Sequence, residues 1–161
     1  MPTWKIAGLS VDHTQDIQIS IKDFVRNNWT LTGDLAAARI VFSTGWYDKS
    51  RQYQIHFRHD TFPRKKRYTI GHYPYYQYDD FVQIHIWVTQ KQNNQEPSQL
   101  GKIAREIDRI ISVGITDLMT SQGFQMMEFI RPINTLPQED STNSIWHSVG
   151  TLGILYHKLY V

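Results

Sequence analysis

Arg64-Lys65-Lys66-Arg67 is the densest run of charge in the chain, flanked by Phe62 and Tyr68, with Arg58 and His59 just upstream. Cations interleaved with aromatic rings can neutralise phosphates and stack on bases, so the stretch 58–68 could serve a small nucleic-acid-binding module. The plainer reading is a solvated loop between strands that meets an acidic partner or nothing. His56, His59 and Asp60, with His72 further on, offer imidazole and carboxylate donors of the kind that hold zinc or iron. On a strand, however, residues three apart point to opposite faces, so His56 and His59 converge only if the strand ends between them. Asp48, Asp60, Asp79 and Asp80 stand near expected strand ends, where a two-metal hydrolase would place its acids. The partner residues such a site needs on the next strand are replaced by Gln83-Ile84-His85. There is no phosphate-cradling glycine loop, no nucleophile elbow and no His-Glu-x-x-His. The residues therefore point to no catalytic residue, no metal ligand and no cofactor.

Two further groups suit contact with a partner. Tyr73, Tyr75, Tyr76 and Tyr78 are amphipathic side chains in a segment punctuated by Gly71 and Pro74, read as irregular from Asp60 to Asp80. They form either a rigid contact surface or a loop packed over the sheet edge. Lys91, Gln92, Asn93 and Asn94 lie in a polar loop from Thr89 to Pro97.

The elements that would position these groups follow from periodicity. Ile17, Ile21, Phe24, Val25 and Trp29 make one apolar stripe, which predicts a helix from about Asp16 to Trp29 with Gly33 just beyond its end. Arg39 to Ser43 reads as a strand, and Gln52 to Arg58 alternates so that one face is buried and one is wet. Phe81 to Val88 is the clearest strand, with Val82, Ile84, Ile86 and Val88 toward the core and Phe81, Gln83, His85 and Trp87 on a mixed face. A second helix is predicted from Ser98 to Val113. Leu100, Ile103, Ile107, Ile110 and Ile111 would face the core, and Lys102, Arg105, Glu106 and Arg109 would face water. Gln125 to Ile130 and Thr151 to Tyr160 close the chain as strands, separated by a long polar connection from Pro132 to His147.

Together these predict one α+β domain over residues 1–161, built on a mixed or antiparallel sheet of four to five strands with two helices packed on one face. The 161 residues suffice for a real core, with 40% hydrophobic and 20% charged residues. A net charge of +2 is too small for the whole surface to attract nucleic acid, which leaves only local patches for that role. Cysteine is absent, so disulfides, thiolate metal sites and thiol catalysis are excluded together. No apolar run approaches the roughly 20 residues that span a bilayer, and Met1 to Lys5 lacks the basic start of a secretory signal. A non-membrane, intracellular protein is the expectation.

The order of elements resembles that of the tail-terminator or tail-completion proteins of long-tailed phages and archaeal viruses. The most similar part runs from Val82-Gln83-Ile84-His85-Ile86-Trp87-Val88, through a polar loop, to Ile103-Ala104-Arg105-Glu106-Ile107-Asp108-Arg109-Ile110. In that family a strand ending in Trp and a polar residue commonly precedes such a helix. Phe129-Ile130-Arg131-Pro132-Ile133, then Trp146 and a terminal hydrophobic strand, are also similar. The likeness covers about residues 16–160 and departs where Arg58 to Tyr78 is longer. It implies a non-enzymatic subunit of a ring, usually of six, that caps the tail tube and joins it to the head. Its partners would be copies of itself, tail-tube and head-neck proteins. Its place would be the tail or neck of the virion, after assembly in the host cytoplasm. The Tyr-rich stretch and the polar loop would then provide the contacts between subunits.

Overall fold

The computed structural model describes residues 4–5, 17–59, 64–70, 73–89, 96–122, 124–133, 138–140 and 145–160. Its strands are β1 (Trp4–Lys5), β2 (Val41–Ser43), β3 (Tyr53–His59), β4 (Arg64–Ile70), β5 (Tyr73–Thr89), β6 (Phe124–Arg131), β7 (Gln138–Asp140) and β8 (Ile145–Tyr160). Its helices are α1 (Ile17–Asn27) and α2 (Glu96–Gln122). The strands form a mixed sheet whose main path, β1-β8-β5-β3-β2, is five strands wide. All pairs are antiparallel except β2 with β3. β5 is the axis: β8 runs along one side of it, while β3 and β4 share the other side end to end. On the far side of β8 lie β1, β6 and β7.

Alternation along the strands splits the sheet into two unlike faces. On one, Val82, Ile84, Ile86 and Val88 of β5 stand beside Ile55 and Phe57 of β3 and Leu152 and Ile154 of β8, all buried. Both helices cover this face: Ile21 and Val25 of α1 and Leu100, Ile103, Ile107, Ile110 and Ile111 of α2 belong to the same core. Gly150 stays small because any Cβ there would strike Ile133, which packs against that position. The expected α+β architecture with helices on one face is what the chain adopts. No helix among the described residues is long and apolar enough to cross a membrane.

Local chemistry sets the element ends. α1 stops where Asn28 folds back on the last turn, its backbone N–H and its side-chain amide both donating to Phe24 O, at 3.2 and 2.9 Å. Trp29, expected as the last helical residue, lies beyond the helix and donates its indole N–H to Leu35 O at 2.8 Å. Between them Gly33 has φ 66°, the left-handed turn that reverses the chain at little steric cost. α2 is longer than the predicted Ser98–Val113 at both ends. Pro97 fits in a first turn, where no intrahelical N–H is required, and Gly114 costs an interior helix only about 1 kcal/mol.

Four other expectations are corrected. Within the stretch read as irregular from Asp60 to Asp80, Arg64–Ile70 and Tyr73–Asp79 pair as antiparallel strands, because the high strand preference of the tyrosines outweighs Pro74 near a strand start. The basic run therefore sits on a strand, not in a solvated loop. β3 has no wet face at Gln54 and His56, which are both buried. Glu106 does not face water and is also buried. The connection after Pro132 holds β7, and β8 begins at Ile145, six residues before the predicted Thr151.

Candidate interaction surface

The sheet face opposite the helices carries the polar alternates of β3, β5 and β8. Register places Gln54 beside Trp87, His56 beside His85, Arg58 beside Gln83, and His147 on the other side of Trp87. Residues 44–52 arch over the β3 part of this face, held by one buried amide. Gln54 Oε1 accepts from Asp48 N–H at 2.8 Å, and Gln54 Nε2 donates to Asp48 O at 2.6 Å and Arg51 O at 3.0 Å. Asp48 closes a turn by accepting from the Ser50 N–H at 2.9 Å and hydroxyl at 2.7 Å, which lowers its pKa. Tyr47 reaches across to Thr89, hydroxyl to hydroxyl at 3.1 Å. This arch is why Gln54 and His56 are buried on the side that alternation alone assigns to water.

Four aromatic side chains and one cation meet there. Trp87 stacks on His147 at 3.7 Å between ring centres and 9° between planes, and Tyr47 lies tilted against Trp87 at 5.0 Å and 42°. Arg58 lies 3.9 Å from the ring centre of Trp46, a cation–π contact on a side chain that is 79% exposed. At the opposite end, Ile130 lies over the bare Cα of Gly153 and is 52% exposed. Exposed large side chains such as Trp46 and Ile130, beside partly buried aromatic rings, suit a protein contact.

His85 bridges two partners. Its Nε2 is 2.9 Å from Gln83 Oε1, an acceptor, so Nε2 carries the proton. Its Nδ1 must then accept from His147 Nε2 at 2.9 Å. A second proton on His85 would leave two donors face to face. Burial first, then the neighbouring His147, Arg58 and His56, pull the His85 pKa down to about 4. Burial also lowers His147 and, with Arg58, His56.

The consequence for stability has a definite sign. The unfolded chain takes up the His85 proton near pH 6.5 and the folded chain only near 4, so stability is full above 6.5 and falls as pH drops toward 4. The loss should be about 2 kcal/mol for this partly exposed group. Urea unfolding at several pH values should show that slope in the native protein and a flatter one in His85→Gln. Equal slopes would remove the shared-proton arrangement.

The residues singled out by sequence fall into three sets. Arg64, Lys65, Lys66 and Arg67 stand directly across from Asp79, Tyr78, Gln77 and Tyr76, so the basic run and the tyrosines form one ladder. Tyr73, Tyr75, Tyr76 and Tyr78 lie on β5 in a segment that also pairs with β8 from Tyr75 onward. Lys91, Gln92, Asn93 and Asn94 lie outside the described residues, as do Asp60 and His72. His56 and His59 fall on opposite faces; His59 Nδ1 is instead 3.7 Å from the buried carboxylate of Asp80. Among the described residues no group of three or more His, Asp or Glu is placed to hold a metal ion. Trp46, Tyr47, Gln54 and His147 were not singled out. Only the mixed face of β5 hinted at this surface, since a residue 62 positions away meets it through register alone. Compared with known proteins, the chain matches no family model and no curated protein.

Proposed function

We propose that this chain is a virion structural protein, a tail-terminator-like ring subunit that caps the tail tube and joins it to the head, acting by contact and not by catalysis. One observation carries the reading. Among the described residues the helices cover one face of the sheet, and the other face carries Trp46, Arg58, Tyr47, Trp87 and His147. Aromatic residues and Arg on a fixed surface are the usual anchors of protein interfaces. The order of β5 ending at Trp87-Val88-Thr89 followed by α2 is also the part of the chain most similar to that family. Under this reading the protein resides in the tail or neck of the virion after assembly in the host cytoplasm.

A nucleic-acid-binding module is the second reading. It is favoured by Arg58 over Trp46 and by Arg67 directly across from Tyr76, which set rings from elsewhere in the chain beside cations of the stretch 58–68. Native mass in solution, with and without a tail-tube protein from the same genome, separates the two. The ring reading predicts a discrete closed oligomer, alone or on adding the tube protein. A monomer indifferent to the tube protein, but with salt-sensitive affinity for DNA or RNA, would replace it with the second.

A further inference from the structure

Two corners of the sheet carry opposite charge and cannot meet within one molecule. At the first, β4 contributes Arg64, Lys65, Lys66 and Arg67, and only Arg64 faces an acid, Asp79, across the ladder. Lys158 of β8 and Lys5 of β1 belong to the same end, Lys158 directly across from Tyr76 and Lys5 from Leu159. At the second corner, Glu139 and Asp140 of β7 stand across from Trp146 and Ile145, so among the described residues no Lys or Arg is their partner in the ladder. The outer edges of β4 and β7 pair with no other strand among the described residues.

Register measures the separation. Lys66 is level with Gln77 of β5, whereas Glu139 is level with Trp146 of β8 and through it with Val88 of β5. The interval from Gln77 to Val88 corresponds to roughly 35 Å at about 3.3 Å per residue, and three strand spacings add roughly 14 Å sideways. Both distances exceed the screening length of about 8–10 Å at ordinary salt. Within one copy the two patches do not feel each other.

We propose that these corners bind each other between successive copies, β4 of one molecule meeting β7 of the next in a head-to-tail contact. The occupant of each edge is thus a second copy of this chain, selected by charge complementarity and by unpaired strand edges of limited length. Because the two patches differ, the contact is heterologous and repeats around an axis. That the repeat closes into a ring, and does not run on as a filament, rests on the ring-subunit reading.

Sedimentation velocity of the full chain tests this. At about 50 mM salt the wild-type protein should associate with rising concentration, and raising salt to about 500 mM should weaken association about tenfold or more. Lys65→Glu/Lys66→Glu/Arg67→Glu should weaken it to a similar degree, and so should Glu139→Lys/Asp140→Lys. Each variant alone presents like charges at both corners, whereas an equal mixture restores complementarity and should associate as the wild type does. Circular dichroism confirms that each variant is folded, and the salt series on unaltered protein needs no variant. Wild-type protein that stays monomeric at low salt would overturn the proposal. So would association indifferent to salt and to both reversals, or a mixture of folded variants that remains monomeric. Association through these corners without capping of any tube would remove the ring-subunit reading and leave the contact. Capping that survives both reversals would do the opposite.

Discussion

Ile107→Ala should lower the free energy of unfolding by about 2–5 kcal/mol, the cost of a cavity in a packed core. Ile107 is fully buried near the middle of α2, and its helical neighbours Ile103 and Ile110 are buried on the same side. They face a sheet whose Ile84, Ile86 and Phe57 are also fully buried, so the surroundings have little freedom to collapse into the space left. Helix α2 draws much of its stability from this burial, because a helix in water is held mainly by packing of its apolar face and not by propensity. Urea unfolding gives the comparison, and a loss below about 0.5 kcal/mol would show that this face of α2 is not core.

Glu106→Gln should cost about 2–4 kcal/mol, because it takes the charge from a buried carboxylate that accepts charged and neutral hydrogen bonds from two residues. Glu106 Oε1 accepts from Thr30 N–H at 2.7 Å and from the Thr30 hydroxyl at 2.8 Å. Arg109 donates to its Oε1 at 2.8 Å and its Oε2 at 2.9 Å, then to Asn28 O at 3.1 Å. One carboxylate thereby fastens α2 to the turn that follows α1. The Arg109 hydrogen bonds, helped by those from Thr30, outweigh burial and hold the Glu106 pKa down to about 2. Its folded pKa is below the ordinary 4.5, so the stabilisation is complete above pH 4.5 and is lost as pH falls toward 2. That window lies below the one set by His85, so the two contributions separate in a pH series. In Glu106→Gln the lower step should vanish while the upper one remains. A variant as stable as the native protein at pH 7 would mean that the carboxylate ties nothing down.

The parts of this fold that could be read in advance are those decided by local pattern. Val82, Ile84, Ile86 and Val88 alternate, and Leu100, Ile103, Ile107 and Ile110 repeat at helical spacing, so each announces both its element and its buried side. What escaped depends on distant residues. Glu106 looks like any surface acid until Thr30, 76 positions away, supplies two donors. Gln54 and His56 look wet until residues 44–52 fold over them, and His147 joins His85 only through the register of β5 with β8. The tyrosines from Tyr73 to Tyr78 read as a loop because Gly71 and Pro74 are the strongest local breakers. A strand pairing on both sides overrides them. The candidate surface was legible as residue types, Arg58 and Trp87 among them, and not as an arrangement.

Electron microscopy of the purified protein mixed with a tail-tube protein from the same genome tests the central proposal most directly. Binding to a preformed tube end lowers the entropic cost of association, so the assembled state should form there at lower concentration than it does between free subunits. The account predicts a closed ring, six-fold in the manner of the family it resembles, at one end of each tube and not along its sides. Protein that leaves both tube ends bare, and that is absent from purified particles, would contradict it.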